Sequence, residues 1–115
     1  MRPLKAVTGI IKNMSNLHLH ILLTEEDAVI VARCLDFSIS SHGDDEEDAL
    51  ASLTDSIKDY LEYALKKGAL NEIIDPEEKK FWDMYRELEL QVELMSIEEN
   101  IDSFKNNKIK EITYA

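Results

Sequence analysis

The chain has 115 residues, 44% of them hydrophobic and 32% charged, which suits one globular domain able to bury a single core without staples. Three glycines and two prolines exclude long flexible linkers, and no apolar run reaches the length of a membrane span. Twenty-four acidic against thirteen basic side chains give a net charge of −11, so the chain repels phosphate backbones and is not expected to bind nucleic acid directly.

Residues 1–16 have no single period. Val7, Ile10 and Ile11 share a helical spacing that Thr8-Gly9 interrupts, and Asn13 to Asn16 reads as a loop. From Leu17 the pattern is clear: Leu17, Leu19, Ile21 and Leu23 alternate with His18, His20 and Leu22, as in a strand with one buried face. Ala28 to Cys34 is β-branched and apolar, a second and more central strand. The polar Thr24-Glu25-Glu26-Asp27 between them predicts a hairpin. Phe37 to Ser41 fits a third short strand, closed by His42-Gly43.

A long amphipathic helix is predicted over Asp45–Lys67. Asp45 caps it, Asp48 stands three residues on, and acidic groups favour the positive end of the helix dipole. Ala49, Leu50, Leu53, Ile57, Tyr60, Leu61, Ala64 and Leu65 form its apolar stripe, and Lys66-Lys67-Gly68 ends it. A second helix is predicted from Asp75-Pro76-Glu77-Glu78. Beyond it, Leu88, Leu90, Val92 and Leu94 alternate with polar residues. A strand is the preferred reading, against a continued helix that keeps Phe81, Tyr85, Leu88, Val92 and Met95 in 4-3 spacing. Ser96 to Glu99 looks like a fresh cap for a short helix through Phe104, and Ile109 to Tyr114 like a final strand.

Three runs carry a family resemblance: Val31-Ala32-Arg33-Cys34-Leu35-Asp36, Ser41-His42-Gly43-Asp44-Asp45-Glu46-Glu47-Asp48-Ala49-Leu50, and Ile57-Lys58-Asp59-Tyr60-Leu61-Glu62. Together they resemble HicB-like antitoxins over about half the chain. A corner proline of that family is missing, Asp45 stands where Thr is common, and Asp48 where a second Glu is common. The resemblance implies an α+β fold of partial ribonuclease-H-like type, with a three-stranded antiparallel sheet packed by one long helix. It also implies a binding role, in which the sheet domain neutralises a small basic HicA-type RNA-cleaving toxin. The alternative is a stand-alone, self-associating scaffold or regulatory module of the same fold with no toxin. Related antitoxins often carry a C-terminal DNA-binding helix motif, and residues 69–115 show no such pattern.

The residues themselves point to binding rather than catalysis. No Gly-x-Ser-x-Gly, Cys-x-x-Cys or glycine-rich phosphate loop occurs, and the first strand lacks the carboxylate that a nuclease site would need. No cofactor or metal is expected: His18 and His20 share a strand face, but His42 lies on another strand. The lone Cys34 reads as a core hydrophobe in a reducing cytoplasm. Glu25, Glu26, Asp27, Asp44, Glu46 and Glu47 are the candidates for meeting a basic partner, on charge alone. The aromatic cluster Phe81, Trp82 and Tyr85 is either a homo-oligomer interface or a contact beneath the second helix. A homodimer or higher homo-oligomer is expected.

Overall fold

A mixed sheet with one helix on each face organises the chain. The computed structural model describes residues 1–12, 17–99 and 110–114. Strands β1 (Arg2–Ile11), β2 (Leu17–Glu26), β3 (Val29–Cys34) and β4 (Ile39–Gly43) are antiparallel neighbours. Helix α1 (Glu46–Lys66), a 3₁₀ turn (Leu70–Glu72) and helix α2 (Lys79–Glu99) follow, and β5 (Lys110–Tyr114) returns to lie parallel to β1. The sheet order is β4-β3-β2-β1-β5. The architecture is therefore α+β as expected, but with four antiparallel strands rather than three, and the additional one is β1.

β2 is buried on both faces, which explains its density of leucines. Leu19, Ile21 and Leu23 join Val7, Ala32, Cys34 and Phe37 under α1, whose Ala49, Leu53, Ile57 and Ala64 complete that core. On the opposite face, Leu22, Ala6 and Leu35 pack against Phe81 and Tyr85 of α2. β1 also has side chains facing both helices, so it shows no period-2 alternation in sequence.

The hairpin turn is tighter than the sequence suggests. Thr24 to Glu26 remain in β2, and the turn is Asp27-Ala28, with φ of 51° and 65°. Two successive positive φ values give a two-residue loop whose twist matches the strands it joins. β4 likewise starts later than expected, at Ile39, because Phe37 turns inward and is buried in the core.

The α1 boundaries follow its predicted caps. Asp45 is extended, and its Oδ1 accepts the Asp48 N–H at 2.8 Å. Gly68, at φ 66°, takes the left-handed conformation that stops the helix. Asp45→Ala should cost about 1 kcal/mol, read as a lower urea midpoint at unchanged slope; an unchanged midpoint would show that the cap contributes nothing.

Two expectations for the second half are corrected. Asp75 does not cap α2: its N–H donates to the Asp36 carbonyl at 2.9 Å, and the Glu77 N–H donates to the Leu35 carbonyl at 2.8 Å. The linker is thus held on the β3–β4 turn, and the helix begins at Lys79. Residues 88–94 are helical, not a strand. Their alternation is two interleaved i, i+4 stripes: Leu88 packs on the sheet side, whereas Leu90 and Leu94 are exposed. Ser96 to Glu99 continue the same helix; the remainder of the short helix proposed there falls on 100–104, outside the described residues. The final strand is present as β5. Among the described residues, no helix is long and apolar enough to cross a membrane.

Candidate functional site

The β2–β3 turn and the β4–α1 junction lie at the same end of the sheet, because Glu26 pairs with Val29 and Ile30 with Gly43. That topology gathers all six candidate carboxylates at one end. Three of them are already neutralised. Glu25 meets Arg2 at 2.8 Å, Glu26 meets Arg33 at 2.7 Å and Thr24 Oγ1 at 3.0 Å, and Glu46 meets Lys5 at 2.7 Å. Asp27, Asp44 and Glu47 are exposed and make no ion pair among the described residues. The negative field presented to solvent at this end thus comes from these three together with the α1 cap Asp45 and the first-turn Asp48, which are likewise exposed.

Among the described residues, no three His, Cys, Asp or Glu side chains are grouped to hold an ion. His42 stands opposite Val31, which stands opposite Thr24, so it is level with the far end of β2 from His18. Cys34 is fully buried, and burial, reinforced by the nearby Asp36 charge, pushes its thiol up to about 12. A thiol so rarely ionised at neutral pH is a weak nucleophile.

No family model, curated protein or solved structure matches the chain.

The structure places Phe81 and Tyr85 in the second core, at 7% and 2% exposure, with Trp82 packed partly buried against it. Arg33 lies over the Phe81 ring at 4.5 Å, and the Tyr85 hydroxyl donates to the Val7 carbonyl at 3.3 Å. Phe81 and Tyr85 thus hold α2 on the sheet.

In the sequence His20 stands out only as a strand-face histidine and Asp36 only as the end of a run that carries the resemblance. The structure joins them. Asp36 Oδ1 accepts the His20 backbone N–H at 2.6 Å, and Oδ2 lies 3.0 Å from His20 Nδ1. The Leu35 N–H donates to the His20 carbonyl at 2.9 Å, so the turn after β3 folds back onto β2 by three bonds. Period-2 alternation did put His20 on the face away from Leu19 and Ile21. Nothing local marked Asp36 as its partner.

Proposed function

We propose that this chain is a HicB-like antitoxin-type protein of the cytoplasm that binds and neutralises a small basic HicA-type RNA-cleaving toxin. The reading is supported by the three unpaired carboxylates, Asp27, Asp44 and Glu47, at one end of the sheet. Asp44 and Glu47 belong to the Ser41–Leu50 run, one of the three that carry the resemblance, and Asp27 lies at the same end of the sheet. A basic partner would meet them with little rearrangement, since backbone turns and a helix start hold them. Glu25, Glu26 and Glu46 contribute less, because each must first give up its own cation.

A pull-down from native extract at low and at high salt tests this. A single small basic protein released by salt is the expected result, and the combined Asp27→Lys, Asp44→Lys and Glu47→Lys variant should weaken its capture at least tenfold. Capture unaffected by the charge reversal would remove these carboxylates from the interface.

A second reading, the self-associating scaffold, is favoured by one observation. Among the described residues, β4 is the outer strand of the sheet and pairs only with β3, an edge to which a strand of another copy can add. Recovery of only the protein itself in the same pull-down would move the weight to this reading.

A further inference from the structure

The β4 edge lacks the features that usually keep an edge strand single. Ile39–Gly43 contains no lysine, carboxylate or proline, pairs with β3 without a bulge, and has no second neighbour among the described residues. Ile39 and Ser41 face α1: Ile39 packs on that core, and the Ser41 and Ser56 hydroxyls are 2.9 Å apart. Ser40 and His42 point to the other face, where both are exposed.

One flank of α1 runs beside this edge. At about 3.6 residues per turn, Ala49, Leu53, Ile57 and Ala64 point down to the sheet, and Ser56 sits at the margin over β4. Further round from that margin come Ser52, Asp59 and Asp48, with Lys66 in line with Asp48. Asp48, Asp59 and Lys66 are exposed and make no ion pair among the described residues. Asp45 and Tyr63 border the same flank, and the tyrosine is 65% exposed.

The flank is self-complementary when reversed. Asp45 and Lys66, Asp48 and Tyr63, and Ser52 and Asp59 are each an acceptor and a donor. The two members of every pair lie equally far along the helix from the Asp55–Ser56 peptide bond. Ser56 at that midpoint is bonded to Ser41, the middle residue of β4. The centre of the flank and the centre of the edge strand are therefore level.

We propose that the β4 edge and this flank of α1 form an isologous interface with a second copy of the chain, which rests on the self-associating reading and gives it a surface. A two-fold axis through Ser41 makes β4 antiparallel to its copy and sets Ser40 opposite His42. The two α1 helices then run antiparallel on one face of a continuous sheet. Lys66 reaches Asp45 of the second copy, the Tyr63 hydroxyl donates to Asp48, and the Ser52 hydroxyl donates to Asp59. With strands about 4.8 Å apart, the small Ser52 and Ser56 let the helices approach to the usual packing distance of about 8–10 Å. Asp55 meets its own copy near the axis; it is exposed, so water and salt screen this repulsion. A uniformly basic partner would meet Lys66 and Lys67 at one end of the flank, whereas a second copy offers each sign its opposite. Asp27 and Glu47 lie off this flank.

Sedimentation of the full chain over a dilution series tests the interface. A dimer is expected. Lys66→Glu should weaken it roughly tenfold or more, because the change acts twice across the axis, whereas Lys58→Glu, the same charge change on the solvent face, should leave it unaltered. Adding Asp45→Asn and Asp48→Lys to Lys66→Glu should recover most of the loss; asparagine caps a helix as aspartate does. Independently of any charge variant, Asp55→Cys should be joined to its copy by a short bismaleimide, and Leu65→Cys on the opposite flank should not. The native Cys34 is buried and does not compete. A dimer that ignores Lys66→Glu, or that is joined through Leu65→Cys and not Asp55→Cys, overturns this surface while self-association stands. A chain monomeric throughout the series overturns both.

Discussion

Asp36→Ala should lower the stability of this protein by about 2–3 kcal/mol, since two bonds to a charged acceptor vanish and the His20 N–H loses its partner. The Asp36 side chain is only 14% exposed, so water cannot readily replace the carboxylate. For a domain of this size the loss amounts to a melting temperature lower by roughly 10 °C. Asp36→Asn keeps an acceptor for the backbone N–H while removing the charge, and should cost about half as much. Equal losses for Ala and Asn would mean that the charge of Asp36, rather than its bond to the backbone N–H, carries the effect. A melting temperature unchanged in both would show that the turn is held by its backbone bonds and by the burial of Leu35 and Phe37 alone.

Gly43→Ala should be as damaging for a steric reason. A Cβ there would stand 2.5 Å from the Ala49 nitrogen, 2.7 Å from the Asp48 Cβ and 2.8 Å from the Asp48 carbonyl carbon. Two of those three atoms are backbone, so relief requires moving the first turn of α1, not a side-chain rotation. Overpacking of this kind costs about 1–3 kcal/mol, and the rigid neighbours place this case near the top of that range. Urea unfolding followed by far-ultraviolet circular dichroism would read it as a lower midpoint; an unchanged midpoint would show that α1 shifts freely on β4. The glycine is needed for close approach here, at the last residue of the edge strand and two residues before the cap.

The parts of the fold legible in sequence were those with one wet face. α1 buries one stripe and exposes the other, so its caps and length could be read to within a residue. β1 could not be read that way, because its Leu4, Val7 and Ile11 serve the α1 core while Ala6 serves the α2 core. An apolar run covered on both sides carries no period. α2 misled for the opposite reason: Leu90 and Leu94 are exposed leucines, and their presence two residues out of step with Leu88 and Val92 imitates a strand. The Asp75-Pro76 signal was a sound capping pattern overruled by tertiary bonds to Leu35 and Asp36. At the candidate site, charge was visible but pairing was not. Glu25 and Glu46 are answered by Arg2 and Lys5 from β1, the strand that the sequence left undecided. The His20–Asp36 pair spans β2 and the turn after β3, and no local pattern encodes it.

The placement of β5 on β1 has a consequence for synthesis. The β2–β3 hairpin joins neighbouring stretches of chain, and α1 packs on them soon after it is made. β1, in contrast, has a free outer edge until Lys110–Tyr114 emerges and pairs with Val7–Ile11. That parallel pairing joins segments far apart in sequence, the slow kind of contact, and it forms only after β2, β3, β4 and both helices have been translated. Until then the nascent protein carries an unprotected strand, and ribosomes that stall before residue 110 would release a chain whose sheet ends in an adhesive edge.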